Sequence, residues 1–300
     1  MASAFCSLRP ADRSDPMSDQ HLFVPYLAAE TPKEIADGLI LGCPYEGPGA
    51  FRRGADTAPR RIRTFSRRIS GYHPRTGRDL FDKSIGDLGD MAVEGLSEDV
   101  VFSQLEKTAS SFFREKRFLL TFGGSRAVSY PLIKAVRAVY PRCKVISFDA
   151  HSGREEIDGF VGHDNLFTAL LDEGVITESD LYVFGTRVGS KEAIANSAYQ
   201  RFENPPKVQK ALMEQMHRLY KFPVYITVDV DVMDPPYAPG SGHPVYGGIA
   251  TAELFDCISL LQSLNVVGMD ITEIVPSLDQ SGITEVFGAT LAKEALIHFL

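Results

Sequence analysis

The stretch KVISFDAHSGREE, residues 144–156, is an apolar run that ends abruptly in Asp149, His151 and two further acids. It reads as a strand that delivers polar side chains at its carboxyl end. Five more apolar runs lie along the chain: GLILGC at 38–43, RFLLTFGG at 117–124, DLYVFGT at 180–186, PVYITVDVD at 223–231 and NVVGMDITE at 265–273. The segments between them read as helices. SEDVVFSQLEKTASSFFREK opens on Ser97 with Glu98 and Asp99 in its first turn, and ATAELFDCISLLQSL places Thr251 and Glu253 at an N-terminus. From about residue 36 this alternation is the rhythm of a mostly parallel sheet with crossover helices, so the expected fold is a three-layer α/β/α domain over residues 36–300. Residues 45–96 differ: Gly, Pro and Arg are dense there (YEGPGAFRRGADTAPRRIR), which predicts long ordered loops around one short helix.

A chain of 300 residues with 44% hydrophobic content can bury a sizeable core. Its 31 basic residues are outnumbered by 39 acidic ones, for a net charge of −8, which argues against nucleic acid and anionic membrane as partners. Cys6, Cys43, Cys143 and Cys257 are scattered without a C-x-x-C pair, as suits a reducing, cytoplasmic location. Residues 1–35 read as a polar leader without the apolar segment of a secretory signal, and no later run is long enough to span a bilayer.

Polar side chains gather at five strand ends: GGSR at 123–126, DAH at 149–151, GTR at 185–187, DVDVMD at 229–234 and DITE at 270–273. In a parallel sheet those ends share one edge, where ligands bind, so the segments are expected to meet. Asp149 and His151 are two residues apart on a strand and so point the same way; Asp229 and Asp231 repeat the spacing. Three carboxylates and an imidazole form a plausible first shell for one divalent ion, with Mn, Zn, Fe or Ni suited to mixed N and O donors. The bland alternative is that each acid caps a loop or pairs with Arg126, Arg154 or Arg187. One D-x-H alone favours that alternative; two such pairs at strand ends favour the metal.

The run TVDVDVMDPPYAPGSGHPVYGG at 227–248 resembles the S-x-D-x-D-x-x-D-P signature of the ureohydrolase (arginase and agmatinase) family and its Pro-Gly-rich loop. FDAH resembles that family's D-A-H-x-D segment, and GGSRAVSYPL stands where G-G-D-H-S is expected. CPYEGPGAFRRGADTAPRRIR and GMDITEIVPSLDQSGIT extend the resemblance over roughly residues 36–300, closest to the agmatinase branch. It implies the arginase/deacetylase-like fold, a homo-oligomer (trimer or hexamer), and a small guanidine, amidine or amide as substrate. It also implies six ligands for two manganese ions that activate a bridging hydroxide. Carried over position by position, two ligands of one ion are lost, the His becoming Arg126 and the second Asp becoming Gly153. The implied ligands of the other ion, Asp149, His151, Asp229 and Asp231, are all present. The related deacetylase fold holds a single metal at this place by Asp, His and Asp.

The reading that results is an agmatinase-like hydrolase of a C–N bond with one retained divalent ion, Mn first, with Zn, Ni or Fe as alternatives. His163 in FVGHDNLF matches a family histidine that shuttles protons, against a simple capping role at a loop-to-helix junction. Asp231 and Glu273 complete the expected catalytic set. Glu273, His243 and Arg126 are the expected substrate contacts, Glu273 matching the glutamate that holds the guanidinium and His243 standing where the family commonly has Thr. Arg126 is also expected to neutralise Asp149 or Asp229 by its fixed charge. The alternative is a catalytically inactive homologue, a pseudoenzyme that binds or regulates, in which Arg126 silences the site. Arg52, Arg53, Arg60, Arg61 and Arg63 form a basic cluster expected to salt-bridge within the N-terminal loops or across a subunit contact, one member being free to bind a substrate carboxylate. Glu155, Glu156 and Asp158 are expected to form a solvated turn rather than replace the lost ligand.

Overall fold

The computed structural model describes residues 23–48, 50–156, 159–191, 200–202 and 208–300. Its strands are β1 (Gly38–Cys43), β2 (Tyr72–His73), β3 (Arg78–Asp79), β4 (Ile85–Asp90), β5 (Phe118–Gly123), β6 (Lys144–Phe148), β7 (Leu181–Phe184), β8 (Gln200–Phe202), β9 (Pro223–Asp229) and β10 (Asn265–Thr272). Its helices are α1 (Ala58–Ser66), α2 (Glu98–Arg114), α3 (Ser129–Val139), α4 (Leu166–Asp172), α5 (Val208–Leu219), α6 (Thr251–Leu261) and α7 (Ile283–Phe299). Eight strands form one sheet in the order β4-β1-β5-β10-β9-β6-β7-β8, and every pairing in it is parallel. β2 and β3 form a separate antiparallel hairpin. No helix of the described residues is long and apolar enough to cross a membrane.

Each central strand is apolar on both faces because both are covered, as parallel sheets require. On one side Ile40, Leu120, Ile146 and Ile226 pack with α1, α5, α6 and α7 through Ile62, Leu212, Leu254 and Phe287. On the other, Leu39, Leu119, Val145 and Tyr225 pack with α2, α3 and α4 through Leu105, Ile133 and Phe167. The three-layer α/β/α expectation is met. Because every strand of the sheet runs the same way, the carboxyl ends of β5, β6, β7, β9 and β10 share an edge.

Three segments depart from the sequence reading, one of them β8, a strand in an interval read as helical. Residues 45–96 contain, besides α1, the hairpin and the edge strand β4. Its sequence IGDLGD has no β-branched run beyond Ile85 to mark it. It is held instead by Arg63 of α1, a 2% exposed side chain whose Nε and Nη2 donate to Asp87 at 2.8 and 2.9 Å and whose Nη1 donates to Asp90 at 2.5 Å. Residues 23–35, within the stretch read as a polar leader, pack on the domain: Tyr26 is fully buried, its hydroxyl donates to Ala289 O at 2.7 Å, and Glu30 bridges to Gly86. Residues 1–22, with Cys6, lie outside the described residues.

Removing one partner of a buried ion pair leaves the other charge uncompensated, at a cost of about 3–5 kcal/mol. Arg63→Ala is therefore expected to lower the free energy of unfolding by that amount in a urea titration. A loss below about 1 kcal/mol, the range of exposed pairs, would show that the pair does not anchor β4.

Candidate active site at the carboxyl edge of the sheet

Asp149 and Asp229 each end a strand, and each carboxylate closes a tight local turn. Asp149 Oδ1 accepts the His151 backbone N–H at 2.6 Å, and Asp229 Oδ1 accepts the Asp231 N–H at 2.8 Å. His151 and Asp231 are thus placed by these Asx turns, beyond the strand ends at Phe148 and Asp229, rather than by continuing the strand alternation. The outcome still brings the two pairs together: His151 Nδ1 lies 3.5 Å from Asp149 Oδ1 and 3.7 Å from Asp231 Oδ2.

Arg126 follows β5 in a short turn that Ser125 caps, its Oγ accepting the Ala127 N–H at 3.2 Å. The Arg126 side chain has no exposed surface. Its Nε lies 2.6 Å from Asp149 Oδ2 and 3.8 Å from Asp229 Oδ2. Nη1 donates to His163 O at 2.9 Å, Nη2 donates to Ser147 Oγ at 3.4 Å, and the guanidinium stands 5.1 Å over the Phe167 ring. Gly153 is what makes room. At φ +63° it bears no Cβ, and one added there would lie 2.7 Å from Phe167 Cδ2 and 3.2 Å from Arg126 Nη1. The arginine and the glycine are therefore sterically complementary.

His163 bridges the two halves, its Nε2 hydrogen-bonded to His151 Nδ1 at 2.9 Å and its Nδ1 3.4 Å from Asp229 Oδ2 and 3.7 Å from Glu273 Oε1. Capping is not the role of its side chain. Glu273, a non-glycine residue at φ +65°, accepts the Arg126 N–H on Oε1 at 2.7 Å. Gly242 leaves room for it, since a Cβ there would strike Glu273 Oε2. His243 stacks on Phe51 at 5.1 Å, with its ring centroid 4.5 Å from that of His151 and 5.5 Å from that of His163.

Charge explains the protonation pattern. Burial pushes Asp149 up, but the Arg126 guanidinium and the two histidines outweigh it and hold the carboxyl at about 2. Burial and the Asp149 and Asp231 charges push Asp229 well above the carboxylate range, and burial with the Glu273 charge raises Asp231. Burial opposes protonation of His163, yet Glu273, Asp229 and Asp149 raise it well above an ordinary imidazole. Burial and the two neighbouring histidines lower His243.

A model of the arginase family matches residues 36–298. The chain belongs to the arginase family. The agmatinase of Bacillus subtilis strain 168 is 31% identical over 284 residues, covering 92% of this chain and 96% of that protein. The agmatinase of Neisseria meningitidis serogroup B is 32% identical over 283 residues, covering 91% and 89%. Among solved structures, a hypothetical agmatinase from Burkholderia thailandensis superposes with a TM-score of 0.78 at 26% identity, covering 87% of this chain and 84% of that one. Formimidoylglutamase from Bacillus subtilis shares the fold, with a TM-score of 0.81 at 24% identity over 96% and 95% of the chains.

The donor set of this arginase-family chain fits a divalent ion beside Asp229 and Asp231. Asp149, Asp229, Asp231 and Glu273 converge on Arg126 and His163, a concentration of buried acids that suits a divalent cation. Asp229 Oδ2, Asp231 Oδ2 and His151 Nε2 are buried without a hydrogen-bond partner among the described residues, whereas Asp149 Oδ2 is ion-paired with Arg126. Ligand atoms of His163, Asp229 and Asp231 fall within 4.8 Å of one another, as do those of His151, His163 and His243.

Several sequence expectations are redirected. Arg187 and Arg154 do not pair with the site acids: Arg187 Nη2 donates to the backbone oxygens of Asp231 and Val245 at 2.7 Å each, and Arg154 pairs with Glu178. In the basic cluster, Arg61 pairs with Glu285, Arg53 with Glu46, and Arg52 donates to Ser241 O at 2.7 Å, bracing the His243 loop. Glu155 accepts the Ser190 N–H at 2.6 Å, and Asp158 lies outside the described residues. A cavity of about 230 Å³ is lined by Phe51, Phe160, His163, Asp164, His243 and Glu273 among others. Arg126, expected to touch substrate, is drawn beneath this cavity by Asp149 and does not line it. Ser241, whose hydroxyl donates to Asp231 Oδ1, and Phe51 and Phe167 lie within the quoted motifs but were not singled out there as site residues.

Gly153→Ala is expected to destabilise the fold by about 1–3 kcal/mol, through the left-handed backbone and the overpacked Phe167. Adding Phe167→Leu should recover part of that loss in a double-mutant cycle followed by urea unfolding. An unchanged unfolding midpoint for Gly153→Ala would show that the site does not need the empty position.

Proposed function

We propose that the chain hydrolyses a C–N bond in a linear guanidine, amidine or amide, with one divalent ion held by Asp149, His151, Asp229 and Asp231. The observation that carries this reading is the charge geometry. Arg126 compensates Asp149, while the buried Oδ2 atoms of Asp229 and Asp231 are left without hydrogen-bond partners. When bound, the ion supplies Lewis acidity and a nucleophile made from water near neutral pH. Manganese, zinc, nickel and iron all suit this N and O donor set.

The chain's own residues do the remaining work. Asp231 is oriented by the Ser241 hydroxyl and by the His243 N–H, which donates to its Oδ1 at 3.2 Å. Glu273 keeps one oxygen on the Arg126 N–H at 2.7 Å and offers the other to a substrate cation. His163 holds a proton among Asp229, Glu273 and His151 and passes it to the departing nitrogen as a general acid. Phe51 and His243 wall the cavity, and Glu156 and Asp164 near its mouth favour a positively charged substrate. The names of the relatives, agmatinases, support a linear guanidine as the first class to try.

A second reading rests on the same arginine. With Nε 2.6 Å from Asp149 Oδ2, Arg126 occupies one side of the carboxylate cluster, as in a chain that binds a guanidine without turning it over.

The two readings separate in one assay. Chain loaded in turn with Mn²⁺, Zn²⁺, Ni²⁺ or Fe²⁺ is offered agmatine and other linear guanidines, amidines and amides, with release of urea or ammonia followed. Hydrolysis with at least one ion, lost more than 100-fold in Asp231→Ala while the unfolding midpoint stays within a few degrees, is the expected result. Ligand binding without turnover under every ion would establish the second reading.

A further inference from the structure

The C-terminal helix α7 carries Glu294 and His298 one turn apart on the same face, and the β2–β3 hairpin places His73 against them. His73 Nε2 lies 3.0 Å from Glu294 Oε2, and His298 Nε2 lies 3.5 Å from the same oxygen. Side-chain exposures are 7% for His73, 8% for Glu294 and 0% for His298. This is the other edge of the sheet from the carboxylate cluster. The end of α7 packs on strand beginnings: Leu300 faces Gly38 of β1, and the Phe299 ring lies 5.7 Å from that of Phe118 of β5.

His298 Nδ1 is buried without a hydrogen-bond partner among the described residues, and its Nε2 has only the long 3.5 Å contact to Glu294. The two rings meet edge to face with centroids 5.4 Å apart, and ligand atoms of all three residues lie within 4.8 Å of one another. For metal–ligand bonds of about 2.1 Å, the edge of a tetrahedron is about 3.4 Å, which the 3.0 and 3.5 Å separations bracket. His73 Nδ1 accepts the Thr76 backbone N–H at 3.2 Å and lies 2.8 Å from Thr76 Oγ1, contacts that fix the ring with Nε2 facing Glu294. Burial raises Glu294, but the His298 contact and the His73 and Lys293 charges outweigh it, so it is a carboxylate at neutral pH.

We infer that His73, Glu294 and His298 form a second metal site, for a zinc-like dication that clamps the hairpin to the C-terminal helix. It is independent of the carboxylate cluster, and its role is structural. Mass action makes the ion a stabiliser of the folded chain, because the unfolded chain does not assemble the three ligands.

The test uses the full chain carrying Asp231→Ala, which weakens the other site and leaves this one intact. After chelator treatment it is titrated with Zn²⁺ and, separately, with Co²⁺. One Zn²⁺ per chain, a rise in Tm on adding Zn²⁺, and the intense visible absorption of tetrahedral Co²⁺ are expected. Adding His298→Leu, an apolar replacement for a buried ring, should abolish all three. Zinc uptake unchanged by His298→Leu would overturn the inference. Should that variant not fold, absence of the cobalt band from the Asp231→Ala chain would overturn it equally, leaving a buried proton shared among the three side chains.

Discussion

A guanidinium with no exposed surface must find its counter-charge inside the protein, and the architecture of the carboxyl edge follows from how Arg126 does so. Stripping such a group of water costs several kcal/mol, repaid only by close opposite charge and by acceptors for the remaining N–H groups. Asp149 supplies the charge at 2.6 Å, while His163 O and Ser147 Oγ accept from the outer nitrogens. Phe167 gives the planar face a surface to lie on, and the bare Cα of Gly153 provides the space. The same turn delivers the Arg126 backbone N–H to Glu273, so one residue fixes acids from two strand ends. What it leaves uncovered is the Asp229 and Asp231 side, where both Oδ2 atoms are buried without hydrogen-bond partners among the described residues and burial with crowding by the other acids raises Asp229.

Two other arginines hold the frame by a different principle, donating to backbone oxygens rather than to the site acids. Arg187 ties the turn after β9 to the loop at Val245, and Arg52 ties the N-terminal loops to Ser241. The His243 loop is thereby braced from both sides without any charge being spent on the acids. Glu273 sits in a left-handed backbone that a side chain of its size rarely adopts. It is kept there by its N–H to Gly124 O at 2.9 Å and by the Gly242 N–H donating to its carbonyl at 3.0 Å.

What the sequence made legible tracks how local the physics is. The six apolar strands were readable because runs such as VYITV and LLTF cannot be anything but buried, and the acids at their ends followed from parallel topology. β4 was not readable, since IGDLGD is ordered by a buried arginine 22 or more positions away, and no local pattern encodes that. Arg126 and Gly153 could be recognised as departures from a family pattern, but that they are one steric unit is a contact through Phe167 in α4. Tyr26 lies in the short apolar run LFVPYLAA, 22–29, which was read together with the polar residues before it; its burial depends on α7, more than 260 residues on.

The central question is whether the edge of the sheet holds one ion with Arg126 in the place of another. Electron paramagnetic resonance of the Mn²⁺-loaded chain tests that directly, because an isolated ion and a coupled pair give different spectra. The signal of an isolated, protein-bound Mn²⁺ that disappears in Asp231→Ala is the expected result. A spin-coupled pair lost in the same variant would contradict it, showing that two ions sit together despite the arginine.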